Sequence, residues 1–205
     1  MRAASLSPAA ADEIVDVMAD AFAGYPVMRF VVGGEGDLKA RERRLVELFV
    51  RRRIRRGGPA FGVPSDNSAE ENALAGAAIL TLPIEPEPPP DVAEMTADAW
   101  RVLGDGPRDR YEAYAAAAST VSVAEPHHHL NMIAVRPAHM GRGHARPLLE
   151  AVIRLAQDDP GSAGVSLTTE MSRNVDLYRH FGFDVVGEVD VAAGLHTWGM
   201  FHKIR

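Results

Sequence analysis

The segment Leu130–Ala156, LNMIAVRPAHMGRGHARPLLEAVIRLA, reads as a strand, a glycine turn and an amphipathic helix in immediate succession. Met132, Ile133, Ala134 and Val135 are apolar at consecutive positions, the pattern of a strand covered on both faces. Pro137 ends that run because it has no amide to give a ladder. Gly141 and Gly143 then allow backbone conformations that side chains disfavour, just where the positive end of a helix begins. Such a turn, with its amides uncovered, predicts an anion site.

Two general glycine motifs are excluded by the residues themselves. A dinucleotide fingerprint needs a third glycine where Arg146 stands, and a P-loop needs Gly-Lys followed by Ser or Thr. The segment Val135-Arg-Pro-Ala-His-Met-Gly-Arg-Gly-His-Ala145 instead resembles the acetyl-CoA motif of the GNAT N-acetyltransferase superfamily, V-x-P-x-x-R/Q-G-x-G-x-G/A, with Met140 in place of Arg or Gln. A second block, Asn174-Val-Asp-Leu-Tyr178-Arg-His-Phe-Gly182-Phe183, is similar to the N-x-x-x-Y-x-x-x-G-F signature of the same superfamily. Asn174 and Tyr178 are four apart and share a helix face, Gly182 suits a helix C-terminus, and Phe183 opens the next strand.

The bulk composition sets limits. A chain of 205 residues, 46% of them hydrophobic, has enough apolar surface for a sizeable core and is expected to form one domain over 1–205. A formal net charge of −6 argues against nucleic acid as a partner. There is no cysteine, which removes disulfides, thiolate metal sites and any acyl group carried on a Cys. Met1 to Ala11 lacks the charged and apolar regions of a secretory signal, and no apolar run reaches membrane-spanning length. The expectation is a cytoplasmic protein with no membrane association, and a homodimer is one assembly this reading allows.

Outward from the central segment, a helix is expected from Pro8 to about Phe22, with Ser7 as its cap. The apolar stretch Val27 to Val32 is of undecided type. Asp37 caps a second helix running to about Arg56, with Leu38, Leu45, Leu48 and Phe49 inward. That helix carries eight arginines between Arg41 and Arg56, read as a solvated or acid-paired face, with an acidic partner surface as the alternative. Pro59 to Val63 reads as an edge strand, Pro64 to Glu71 as a polar turn and Leu74 to Leu82 as a buried strand. Residues 83–125 then combine a proline-rich connector with one or two helices broken at Gly104-Asp-Gly-Pro107. Trp100, Tyr111 and Tyr114 in this segment are candidates for acceptor contact or for core. A strand from Gly164 to Glu170, the Asn174–Tyr178 helix and a hairpin from Phe183 to Lys203 complete a mixed α/β sheet of six or seven strands with four or more helices.

The resemblance implies the GNAT fold: a mostly antiparallel sheet flanked by helices, with a splayed central strand pair. It also implies acetyl-CoA as cosubstrate, its diphosphate held by main-chain amides of Met140, Gly141, Arg142, Gly143, His144 and Ala145. The pantetheine arm would lie against Ile133, Ala134 and Val135, with an amide at Ile133 or Ala134 polarising the thioester carbonyl. Tyr178 is the expected general acid and Asn174 the residue that orients the pantetheine amide. For the base, Glu170 at its strand end and His129, with an ordinary pKa of about 6.5, remain alternatives. His127 and His129 face one way on an extended chain and could share a metal, but no further ligand spacing completes such a site, and none is expected. The region around Tyr178 is similar to small-molecule acetyltransferases of the puromycin acetyltransferase type. The expected reaction is therefore acetylation of a small-molecule amine; a non-catalytic acyl-CoA-binding domain and a protein N-acetyltransferase are the alternatives.

Overall fold

In a computed structural model of the chain, residues 2–65, 73–192 and 194–204 are described. Seven strands form one sheet in the order β1-β2-β3-β4-β5-β7-β6: β1 Ala4–Ser5, β2 Ala60–Pro64, β3 Leu74–Thr81, β4 His128–Val135, β5 Gly164–Thr169, β6 Asp184–Ala192 and β7 Leu195–Lys203. Every neighbouring pair is antiparallel except β4 with β5. This is the mixed, mostly antiparallel sheet the sequence predicts. The Pro59–Val63 segment corresponds to β2, but it is not an edge, because the two-residue β1 pairs along its outer side. The polar turn expected after Pro64 lies largely outside the described residues.

Helices cover both faces. On one side α1 Ala11–Phe22, α2 Pro26–Val32, α3 Leu38–Arg55, α4 Asp91–Leu103 and α5 Asp105–Ser119 form a cap. Their core is built from Ile14, Val17, Met18, Leu45 and Val50 against Ala77, Ile79, Met132 and Ala134 of the sheet. On the other side α6 Ala145–Asp158 and α7 Ser172–His180 bury Leu148, Leu149, Val152 and Val175 against Ala78, Leu80, Leu130 and Leu167. The stretch of undecided type is α2: Pro26 supplies the fixed φ of a first helical residue and Gly33, at φ 74°, closes it. Ser7 precedes a short 3-10 turn at Pro8–Ala10 without a side-chain cap bond. Asp37, by contrast, does cap α3, its Oδ1 accepting from the Ala40 amide at 3.1 Å. Among the described residues no helix is long and apolar enough to cross a membrane.

The arginines of α3 are largely matched within the chain. Arg43 pairs with Asp16 at 2.6 Å, Arg44 and Arg51 with Glu47 at 3.0 and 2.9 Å, Arg56 and Arg53 with Glu85, and Arg55 with Asp91. Glu85 lies in the proline-rich connector, so these pairs fasten that strap to α3. Each exposed pair adds at most about 1 kcal/mol, and their effect is to set direction more than to stabilise.

The segment after α5 is seated by two glycines. Gly187 of β6 and Gly199 of β7 are cross-strand partners. A side chain at either would meet Val121, and a Cβ at Gly199 would run into the Val121 carbonyl oxygen. Val121 thus fills a notch that exists only because both positions lack side chains. Gly199→Ala should push this segment off the sheet and cost about 1–3 kcal/mol by overpacking, read as a lower midpoint in urea denaturation. An unchanged midpoint would show that Val121 is not held there.

Candidate active site

The site begins where two strands part. β4 and β5 pair in parallel only at His128↔Val165 and His129↔Ser166, although each strand runs on for several more residues. β4 also carries a bulge: its register against β3 shifts between Ile79↔Met132 and Leu80↔Leu130, so Asn131 is the extra residue. Beyond the bulge the Arg136 amide donates to Ala75 O on the β3 side at 2.8 Å. Amides alternate along a strand, so Ala134 and Met132 also turn toward β3, while Ile133 and Val135 turn into the gap left by β5. The sequence leaves Ile133 or Ala134 as the amide expected to polarise a thioester; in this register the Ile133 amide points into the gap and the Ala134 amide toward β3.

At the wide end of this gap lies the glycine turn. Pro137–His139 forms a 3-10 turn, Gly141 and Gly143 have φ values of 76° and 83°, and α6 starts at Ala145. Nothing stands within 4 Å of where a Cβ would project from either glycine. No side chain caps α6; the Arg146 amide donates to Gly143 O at 3.2 Å and Pro147 has no amide, which leaves the Ala145 amide as the free donor of the first turn, with the positive end of a 14-residue helix behind it. An anion such as a diphosphate fits this cradle. Met140 is 63% exposed at its rim, where it neither blocks the amides nor supplies a charge. His144 is buried beneath the turn, edge-on to His139.

One cleft of about 830 Å³ joins this turn to the helical cap. Ile133, Val135, Glu170, Asn174 and Tyr178 line it, with Tyr25 and Tyr114 from the cap side. Glu170, the residue after β5, is caged by hydroxyls. Its Oε1 accepts from Tyr114 at 2.9 Å and from Thr197 at 3.4 Å, and its amide donates to the Tyr25 hydroxyl at 3.3 Å. Burial raises the Glu170 pKa above the ordinary carboxylate value, and the hydroxyl donors offset part of that rise. Burial, and then the Glu170 charge, push Tyr25 up to about 12, and the same two causes raise Tyr114 well above the ordinary phenol value. Both phenols therefore remain donors.

Tyr178 is buried on α7, 5.7 Å ring to ring from Phe183, and its hydroxyl has no hydrogen-bond partner among the described residues. Burial, reinforced by Tyr25 and Glu170, raises its pKa well above the ordinary phenol value. It keeps its proton at any physiological pH. Asn174 Nδ2 donates to Thr169 Oγ1 at 3.1 Å, which ties the first turn of α7 to the end of β5. His129 also lines the cleft, Nδ1 at 2.7 Å from Ser166 Oγ. Burial, with His127 and Arg53 nearby, lowers its pKa to about 4. That makes it neutral but a poor base.

The three aromatic acceptor candidates separate. Tyr114 reaches Glu170, Tyr111 lines the cleft from α5, and Trp100 lies outside the lining, in the core against Tyr111 at 5.3 Å. His127 turns its Nδ1 to Glu125 O at 2.6 Å, and among the described residues no group of three His, Asp or Glu is arranged for a metal ion. Tyr25 was not foreseen. It sits between α1 and α2 and reaches Glu170 across a sequence distance that no local pattern marks.

Residues 108–203 match the family model described as an acetyltransferase (GNAT) domain. Similar solved structures include histone acetyltransferase HPA2 and related acetyltransferase from Corynebacterium glutamicum, at 21% identity and TM-score 0.74 over 98% of this chain and 95% of that one. A polyamine N-acetyltransferase of Drosophila melanogaster that forms N-acetylagmatine aligns at 13% identity and TM-score 0.64 over 97% of each chain. Arylalkylamine N-acetyltransferase 2 of Aedes aegypti aligns at 12% and 0.63 over 98% and 96%. At such identities the likeness concerns the fold. Residues 108–203 thus match a GNAT acetyltransferase domain, and the GNAT fold extends along nearly the whole length of the chain.

Proposed function

We propose that this chain transfers the acetyl group of acetyl-CoA to the primary amine of a small molecule, by direct attack within a ternary complex. The observation that carries the reading is the single cleft running from the uncapped glycine turn, through the parted strands, to Glu170. A donor whose diphosphate rests on the amides from Met140 to Ala145 would lay its pantetheine along Ile133 and Val135, with Asn174 orienting an amide of that arm. Its thioester would then lie near Tyr178 and Glu170.

The chemistry divides among this chain's groups. Glu170 takes a proton from the incoming ammonium, directly or through water; its raised pKa brings it closer to that task than an ordinary glutamate. His129, already depressed to about 4, is the weaker base. The freed amine nitrogen attacks the thioester carbonyl carbon, and the Ile133 amide faces the oxygen as it becomes an oxyanion. The carbon–sulfur bond breaks, Tyr178 gives its proton to the departing thiolate, and the new amide nitrogen loses its remaining extra proton to the phenolate, directly or through water, which restores the phenol. With no cysteine in the chain, no acyl-thiol intermediate intervenes. A small acceptor is favoured over a protein tail because α5 covers the acceptor end with Tyr111 and Tyr114, and because the α3 arginines that would grip an acidic protein are mostly paired internally.

Thiol release with acetyl-CoA across an amine panel tests the reading; acetyl-CoA binding without turnover of any amine would support a non-catalytic acyl-CoA-binding domain instead. Tyr178→Phe should lower kcat by about a hundredfold or more while leaving the calorimetric Kd for acetyl-CoA near that of the wild type, and an unaltered kcat would remove it from the acid role. For Glu170→Gln, the limb of kcat/KM that rises with pH should disappear. Because the folded-state pKa of Glu170 lies above its unfolded value, its ionisation opposes folding. That penalty is absent at low pH and grows as pH climbs through the raised value. Glu170→Gln should therefore also raise the melting temperature at neutral pH. A variant that keeps the wild-type pH profile would count against the base role.

A further inference from the structure

Of the arginines of α3, Arg52 is set apart by what it touches. Its neighbours along the helix reach carboxylates, and Arg41 donates to the carbonyl oxygens of Val32 and Leu103. Arg52 lines the acceptor end of the cleft, partly buried, and donates through Nη2 to the Tyr111 hydroxyl at 3.0 Å. Its guanidinium carbon stands 5.8 Å from the ring centres of both Phe49 and Tyr111. Among the described residues it has no carboxylate partner. A guanidinium has five donors, and a neutral phenol satisfies one of them without neutralising the charge.

A cation withdrawn from bulk water against two aromatic faces, and left without an anion, is costly unless a ligand supplies one. The same cleft holds the opposite requirement elsewhere, because Glu170 with Tyr25 and Tyr114 offers acceptor oxygens suited to an ammonium. We infer that the acceptor is an amine that also carries a carboxylate, with the amine drawn to Glu170 and the carboxylate to the guanidinium of Arg52. The inference rests on the acetyltransfer reading and narrows it. Arg52 is a specificity residue: its planar fork matches a carboxylate, and it repels the second cation that a polyamine or a lysine-rich tail would bring into the chamber.

The test uses matched acceptors, ω-amino acids against alkylamines of equal chain length, with a polyamine as third arm. Turnover is followed by thiol release, and equilibrium binding to the coenzyme A complex by calorimetry. The wild type should favour the carboxylated member of a pair by about ten- to a hundredfold in kcat/KM. Arg52→Gln should erase that preference by weakening the carboxylated member alone, with acetyl-CoA affinity unchanged. Arg52→Lys, which keeps the charge without the fork, should retain part of it, and this separates charge recognition from loss of the Tyr111 contact. Equal turnover within the pairs, preference for the polyamine, or an equal effect of Arg52→Gln on both members overturns the inference. Absence of all turnover, with carboxylated-amine binding that still depends on Arg52, overturns the acetyltransfer reading and leaves the anion site standing. Absence of both turnover and such binding overturns both.

Discussion

The parting of β4 from β5 is the constraint on which the rest of this protein depends. Parallel pairing holds for two residues and then stops, leaving backbone polar groups in the middle of a sheet without the partners they normally require. In a soluble core that arrangement persists only where something else can occupy the opening. Each feature of the site is a consequence of that opening. The bulge at Asn131 sets which amides of β4 look into it, the glycine turn lies at its wide end, and Glu170 and α7 follow directly from the strand that swings away.

Electrostatics within the opening are arranged by neutral donors. Glu170 is held by Tyr114, Thr197 and Tyr25, which come from three separate parts of the chain. None of them is a cation, so the carboxylate is fixed in place without being locked in its ionised form, and burial dominates its pKa. A lysine or arginine in the same position would hold the group equally well but would make it too weak a base to accept a proton from an ammonium. The phenols, pushed to high pKa by the same burial, cannot themselves ionise to compete.

In the proposed acetyltransfer, the helical cap would link acceptor selection to this cage. α5 supplies Tyr114 to Glu170 and Tyr111 to Arg52, so one helix reaches both polar groups on the cap side of the cleft. Its position is fixed from both sides. Val121 drops into the notch between Gly187 and Gly199, and Trp100 of α4 backs Tyr111 from the core. The connector that leads into α4 is fastened through Glu85 to Arg53 and Arg56. On the proposed function, changes in this segment would alter acceptor choice before donor binding, because the glycine turn lies at the far end of the cleft.

Much of this was legible in the residues alone. The strand, turn and helix from Leu130 to Ala156, the helix carrying Asn174 and Tyr178, and the closing hairpin all follow from local rules: apolar periodicity, the φ freedom of glycine and the missing amide of proline act over a few residues. What needed the fold was whatever depends on register or on distant approach. The bulge that turns the Ile133 amide rather than that of Ala134 into the gap, the two-residue outer strand that covers β2, Tyr25 reaching Glu170, and Arg52 left without an acid among the described residues are each decided by which segments meet. Spacing along a chain encodes the face a side chain shares with its near neighbours. It carries no information about the side chain or charge that packing brings opposite, because that partner is chosen by the tertiary structure as a whole.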